Sequence, residues 1–373
     1  MTGEPAVGDA TPRALREAPW DWQQVEAVLV VRLRSIGDAV LATPALHALR
    51  RFLPRARIDL LVEDWLVPLF EAQRDASRIV TVVRGGLGTR VAAVRDLRAG
   101  RYDVAFDLHG GTTATLLTFA SGARRRVGYG RYQLARLLNH RAPPAVELWG
   151  RSELHSVEEQ LGLLGFVGVP VSDRPPTRLT PAHVAEARVR SRLEAAGLDP
   201  RGRIALLHPA ATFESKRWSS EGFARVAEHL HERGFAPVAI AARHEAGILS
   251  ALKQLSRVGV TAFSDLGLSD VVALCAMSRV FVGNDSGIAH VAAAVRTPLV
   301  VVFGSSNVTH WRPWTDAPAE VVRRALPCAP CPGYTCDEAE RFGCIRGVPT
   351  EAVLSAVDRV LAAAADRARG PRV

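Results

Sequence analysis

The sequence has no apolar run as long as the roughly 18 residues that a membrane-spanning helix requires. The longest candidate, residues 289–303, is interrupted by Arg296 and Pro298. Residues 1–24 are built of Pro, Ala, Gly and charged side chains without an apolar h-region, so they read as a disordered lead-in and not as a secretory leader. Neither a GxGxxG fingerprint nor a Walker A lysine motif is present. That sets aside a dinucleotide oxidoreductase and a P-loop NTPase. Short-period repeats and low-complexity tracts are also missing. Cysteine is scarce: of five, four fall between Cys328 and Cys344, which is not the pattern of a secreted disulfide framework. These absences lead to the expectation of a cytoplasmic globular protein.

What is there fits that expectation. The 373 residues, 48% of them hydrophobic, are enough for two domains at about 150 residues each. The net charge of +9 is carried mostly by Arg. It suits an anionic partner such as a phosphorylated glycan, a membrane surface or nucleic acid. It equally suits a basic soluble protein with high Arg usage.

Short apolar runs alternate with helical patterns along the chain. Strands are expected at residues 28–31, 58–62, 79–83, 104–106 and 126–129, and again at 204–207, 237–241, 258–262, 280–282 and 299–303. Helices are expected between them, including 89–99, 112–120, 152–164, 221–233, 244–255, 268–277 and 350–368. Pro44 is expected to kink the helix that follows Asp38. Such alternation predicts α/β architecture with mostly parallel sheets covered on both faces. Pro170, Pro175, Pro176 and Pro181 mark a linker. The expected layout is a first domain over 25–165, a linker over 166–180, a second domain over 181–349, and a C-terminal helical segment, 350–373, reaching back toward the first domain.

In an open α/β sheet, ligands sit beyond the carboxyl ends of the strands. Three loops with that address carry polar residues: 35–38, 209–218 and 284–287. The last, Asn284-Asp285-Ser286-Gly287, runs from a β-branched strand into an apolar helix. The unpaired N–H groups at that helix start make a place for an anion. Gly287 would let a ligand approach the backbone. Asp285 and Ser286 also read as ordinary helix caps.

The chain resembles the heptosyltransferases, glycosyltransferase family nine, over most of its length. The matching residues are Arg34-Ser35-Ile36-Gly37-Asp38 with Thr43-Pro44-Ala45-Leu46, then Tyr102-Asp103, Asp107-Leu108-His109-Gly110 and Arg126-Val127-Gly128-Tyr129. In the second half they are Lys216-Arg217-Trp218, His244-Glu245-Ala246-Gly247, residues 283–294, and 298–304. Each fragment alone is unspecific; all in this order are specific. The resemblance implies a GT-B fold, two Rossmann-like domains with parallel sheets facing across a cleft. It implies inverting sugar transfer without a catalytic metal, typically of heptose from ADP-heptose to a glycan such as lipopolysaccharide core. The N-terminal domain would hold the acceptor and the C-terminal domain the nucleotide sugar.

Residue roles follow from the same resemblance. Asp38 matches the general base, since an inverting transfer needs a carboxylate beside the acceptor hydroxyl; its alternative is a helix cap. Lys216 matches the donor lysine, a charge beside the leaving diphosphate; its alternative is a solvated Lys next to Arg217. Thr212 either bonds a phosphate oxygen or caps its loop. Asp285 faces the donor sugar hydroxyls, and the N–H groups of Ser286, Gly287 and Ile288 take the diphosphate. Glu245 falls where the family places an acid on the ribose. His290 is a donor-side candidate, although a lone His at a helix start is more often structural. Arg34, Ser35, Gly37, His109 and Arg126 fall on the acceptor side, where Arg-rich segments would meet an anionic glycan or glycolipid. Peripheral contact with the inner face of a membrane is compatible with that acceptor, whereas nucleic acid has only net charge in its favour.

Cys328, Cys331, Cys336 and Cys344 form a separate candidate, a structural zinc or iron site outside the reaction path. Reduced thiols or one reversible disulfide are the alternatives. Cys275 falls on an apolar helix face and reads as core. Other readings of the whole chain are a transferase with another donor sugar or a secondary-metabolite acceptor, a nucleotide-sugar epimerase, and a non-catalytic glycan-binding protein.

Overall fold

A computed structural model describes residues 11–83, 87–331, 336 and 341–369. The chain divides into two compact units. The first comprises residues up to Leu33, Pro44–Val62 and Asp75–Pro175; the second comprises Arg34–Thr43, Glu63–Arg74 and everything from Pro176 on.

Each unit holds a six-stranded sheet. In the first, β1 is Ala27–Val31, β2 Arg57–Glu63, β3 Arg78–Val82, β4 Val104–Asp107, β5 Arg125–Tyr129 and β6 His140–Ala142. In the second, β7 is Ile204–His208, β8 Ala236–Ile240, β9 Thr261–Phe263, β10 Val280–Asn284, β11 Leu299–Phe303 and β12 Ala319–Arg323. The orders are β3-β2-β1-β4-β5-β6 and β12-β11-β10-β7-β8-β9. The recorded strand pairings are parallel, with Val30 level with Leu60 and Phe106, and Val282 level with Leu207 and Val300. Both orders are Rossmann-like, reversing direction beside the first strand of the unit. Strands β1, β7, β10 and β11 are buried along their whole length. This is why they read as unbroken apolar runs.

The edge strands β6 and β12 and the helix His183–Ala195 are absent from the sequence reading. Both strands are short and carry charged residues, as edges do. The helix buries only Ala185, Val189 and Leu193 among charged neighbours. Pro44 does not kink one helix; it separates two, Ile36–Leu41 and Thr43–Phe52. A proline in the first turn removes no intrahelical bond, so a new helix begins there at little cost.

Two expectations about the ends need correction. Residues 11–24 are not a loose lead-in. The Trp22 indole is buried, its N–H donates to Val167 O at 2.8 Å, and its ring meets Phe52 edge-on. The backbone N–H groups of Leu15 and Arg16 both donate to Gly165 O. The C-terminal helix, Thr350–Arg369, spends its apolar face on the second unit, packing Val353, Ala356, Val357 and Val360 into that unit's core beside β11 and β12.

Candidate active site

The second unit's site starts at the carboxyl ends of β7 and β10, neighbours at the point where strand order reverses. Asn284, fully buried, joins the two loops that leave these strands. Its Nδ2 donates to Pro209 O at 2.8 Å, and its Oδ1 accepts from Trp218 N at 3.1 Å. The next residue, Asp285, is tied back by its own N–H to Val302 O. Ser286 is the N-cap of the helix Gly287–Ala294, but its side chain does not cap it; Oγ lies 3.2 Å from His208 Nδ1 instead. The first N–H groups of this helix therefore have no side-chain cap and suit an anion.

A third piece comes from far earlier in the chain. Ser35 is the N-cap of the helix Ile36–Leu41, and Asp38 is its third residue. Asp38 Oδ2 accepts from both Ser35 N and Ser35 Oγ at 3.1 Å, the arrangement of a capping box. This helix packs on Gly287–Ala294 through glycine at both contact points. A Cβ on Gly37 would fall 2.8 Å from His290 Cδ2, and one on Gly287 would fall 2.7 Å from Ile36 Cβ. The closeness that Gly287 permits is thus between two helices, in addition to any approach of a ligand.

Two cavities open on either side of this joint, and Ser35, Ser286 and Gly287 line both. The first, about 370 Å³, has apolar walls that include Ile240, Leu266, Leu268 and Val271, with Thr212, Glu245 and His208 as polar members. The second, about 380 Å³, is lined by Asp38, Lys216, Asp285, His290, Ser305 and Asn307 among others. In it the Lys216 ammonium, on a single turn Glu214–Lys216, lies 2.9 Å from Asp285 Oδ2. Lys216 and Lys253 are the only lysines of this Arg-rich chain. Burial pushes the His290 imidazole below its usual pKa against the pull of Asp285 and Asp38, with Lys216 adding to the depression. Its ring is neutral at pH 7, and its Nδ1 has no hydrogen-bond partner among the described residues. His208 is pushed down to about 4 by burial alone. One cavity thus offers an apolar slot, the other two carboxylates, a cation and hydroxyl groups, with a helix N-terminus between.

Residues 90–341 match the family model of glycosyltransferase family 9 (heptosyltransferase), more than half of the chain. The chain belongs to glycosyltransferase family 9. It is similar to lipopolysaccharide heptosyltransferase 3 of Escherichia coli K12, 27% identical over 305 residues, covering 76% of this chain and 84% of that one. The family 9 glycosyl transferase of Veillonella parvula has the same fold, with a TM-score of 0.79 at 18% identity over 90% of this chain and 97% of the other. The Escherichia coli ADP-heptose lipopolysaccharide heptosyltransferase II aligns with a TM-score of 0.72 at 22% identity, over 90% and 98%. The α/β architecture of two Rossmann-like sheets is therefore that of a GT-B glycosyltransferase.

Of the residues expected from sequence, this transferase brings Asp38, Lys216, Asp285 and His290 into one cavity, and Thr212, Glu245 and Ile288 into the next. Glu245 also accepts from Ala242 N at 3.2 Å and so holds its own turn. Arg34 is exposed and lines neither cavity. Gly37 lines the second cavity, but its service is to the His290 contact. Residue Asn284 was missed as a functional position; the signal was a buried-strand run ending on an amide. Two expected acceptor residues lie in the first unit. His109 follows β4, in a turn where Asp107 accepts from His109 N, Gly110 N and Thr115 Oγ1. Arg126, in β5, is committed to structure. Its Nε donates to Leu137 O, another guanidinium nitrogen donates to Ala123 O, and the plane covers Phe119.

The cysteine expectation changes most. Among the described residues no three His, Cys, Asp or Glu side chains are placed to hold a metal ion. Cys328 is exposed, whereas Cys344 is buried, its thiol pushed up by burial and by the nearby Cys328 and Cys336. Cys336 Sγ accepts from Phe342 N at 3.3 Å. Cys331 donates its N–H to Ser305 O at 2.8 Å and lines the same cavity as Asp38 and Lys216, so the cluster is not remote from the site. Cys275 is fully buried, as its place on an apolar face implied.

No helix among the described residues is long and apolar enough to cross a membrane.

Proposed function

We propose that this transferase moves heptose from ADP-heptose to an anionic glycan acceptor such as lipopolysaccharide core, with inversion and without a catalytic metal. One observation carries the reading: Asp38, Lys216, Asp285 and His290 line one cavity, which adjoins an apolar one through Ser35, Ser286 and Gly287. A nucleotide sugar has that shape, with a flat base, a diphosphate and a polyhydroxylated ring in order. The base and ribose take the apolar cavity, with Glu245 on the ribose and Thr212 near the phosphates. The diphosphate takes the N–H groups of Ser286, Gly287 and Ile288. The sugar takes the second cavity, Asp285 accepting from its hydroxyls and His290 serving as a neutral partner.

In the reaction the acceptor oxygen attacks the anomeric carbon as the bond to the diphosphate breaks. Asp38 receives the hydroxyl proton. Ser35 N and Oγ both donate to its Oδ2 and hold the carboxylate in place; the proton moves late, once the attacking oxygen has become acidic. Lys216 and the helix N-terminus hold the charge that develops on the leaving ADP, the task a metal performs elsewhere. Lys216 must then shift its 2.9 Å contact with Asp285 toward phosphate. Arg34, Ser35 and His109 are the polar candidates for contacts with the acceptor.

The test is nucleotide release from ADP-heptose, UDP-hexoses and GDP-sugars, with and without deacylated lipopolysaccharide. Acceptor-dependent ADP release is expected, strongly reduced in Asp38→Ala and Lys216→Ala. Wild-type rates in Asp38→Ala would remove the base assignment. A sugar isomer formed without acceptor would make the protein an epimerase.

A further inference from the structure

One wall of the apolar cavity comes from neither of the loops described so far. Trp65 lies on the 3-10 helix Asp64–Phe70, in the segment Glu63–Arg74 that belongs to the second unit. It lines the apolar cavity together with Ile36, Ile240 and Leu268. The segment is tied down on that unit. Ser269 Oγ donates to Glu71 Oε2 at 2.7 Å, Gln73 Nε2 donates to Arg178 O, and Leu66, Leu69 and Phe70 are buried.

Trp65 itself is 42% exposed, the most expensive side chain to leave in water. Its Nε1–H is already committed, donating at 2.7 Å to Glu63 Oε2, and Glu63 is buried. The indole is therefore oriented, and its polar edge is used within the protein. What remains for a ligand is a rigid aromatic face. Of the two adjoining cavities, the one with carboxylates, Lys216 and hydroxyls suits a sugar; the one with Trp65 and aliphatic side chains suits a flat π system.

We infer that Trp65 is the stacking platform for the nucleobase of the donor and sets its preference for a purine. This rests on the donor reading above, in which the apolar cavity takes the nucleoside. A purine overlaps more of an indole than a pyrimidine does. The stacking contribution is therefore larger for ADP than for UDP, and zero for pyrophosphate, which has no base.

The experiment is calorimetric titration of the full-length wild type, Trp65→Ala and Trp65→Phe with ADP, UDP and inorganic pyrophosphate. The expected result in Trp65→Ala is a loss of about tenfold or more in ADP affinity, a smaller loss for UDP and an unchanged pyrophosphate affinity. Trp65→Phe, which keeps a smaller ring, should retain most of the ADP affinity. Should Trp65→Ala fail to fold, Trp65→Leu replaces it, with the same ratios read. Wild-type ADP affinity in the Ala or Leu variant would overturn the platform and leave the donor reading standing. An equal loss for ADP and pyrophosphate would also overturn it, because the role would be structural. If the wild type binds neither ADP nor UDP, the donor reading fails first and the inference with it.

Discussion

Asp38 has a capping duty and a proposed catalytic one, and the balance between them is measurable. It closes a capping box with Ser35 and lines the cavity with Lys216. Replacing it by Asn keeps an acceptor oxygen for the cap but removes the proposed base. Asp38→Asn should therefore melt within a few degrees of wild type while kcat falls roughly 10²- to 10⁴-fold; a large drop in Tm with normal kcat would assign Asp38 to capping alone. The buried imidazoles predict a pH dependence. His208 is pushed down to about 4 and His290 is also lowered, both by burial first. A depressed folded-state pKa means that the unfolded chain binds the proton more readily. Stability is then full above the ordinary His value of about 6.5 and is lost as pH falls through the window down to about 4. Urea unfolding between pH 7.5 and 4.5, run at about half-unit steps, should show this slope, and His208→Gln should flatten it. The lining of this cavity was legible in part. Asp38, Lys216 and Asp285 stand in motifs that a reader can quote. Arg126 stands in one too, yet its guanidinium serves the carbonyls of Ala123 and Leu137, and no local pattern announces that.

At the scale of elements, the joint between Ile36–Leu41 and Gly287–Ala294 is the piece on which the site depends. A methyl on either glycine would crowd the Ile36 Cβ or the His290 ring, so a neighbour would have to shift. Gly287→Ala and Gly37→Ala should each cost about 1–3 kcal/mol in denaturant unfolding. Both should also depress kcat, because Asp38 and His290 ride on the two helices; unchanged stability would show the joint to be loose. A second element-level prediction concerns residues 11–24. Trp22 fills a buried place with its N–H satisfied, so Trp22→Ala should destabilise by about 3 kcal/mol or more. A variant as stable as wild type would return this stretch to the status of a lead-in. Strands β1, β7, β10 and β11 were readable because burial on both faces writes itself as an unbroken apolar run. The helix His183–Ala195 was not, because three small or medium apolar residues spaced by four are easily lost among Arg and Glu.

At the scale of the molecule, the second unit is not a contiguous half of the chain. It takes Arg34–Thr43 and Glu63–Arg74 from between strands of the first sheet. Residues 176–373 produced alone would lack the Ile36 contact with Gly287, the Glu71 bond to Ser269 and the Trp65 wall. That fragment should show no cooperative melt at the temperature of the intact chain and no ADP binding. An intact-like transition with ADP binding would mean that the two inserted segments are dispensable. The sequence by itself determined the α/β class, the loops at strand ends and the family, because strand burial and motif order are local properties of a chain. Only the tertiary structure decided which loops share a cavity, that Gly37 and Gly287 face each other, that Cys331 lines the cavity with Asp38 and Lys216, and that Trp65 belongs to the second unit. Those are contacts between residues tens to hundreds of positions apart, and they exist only once both sheets have fixed where each strand end points.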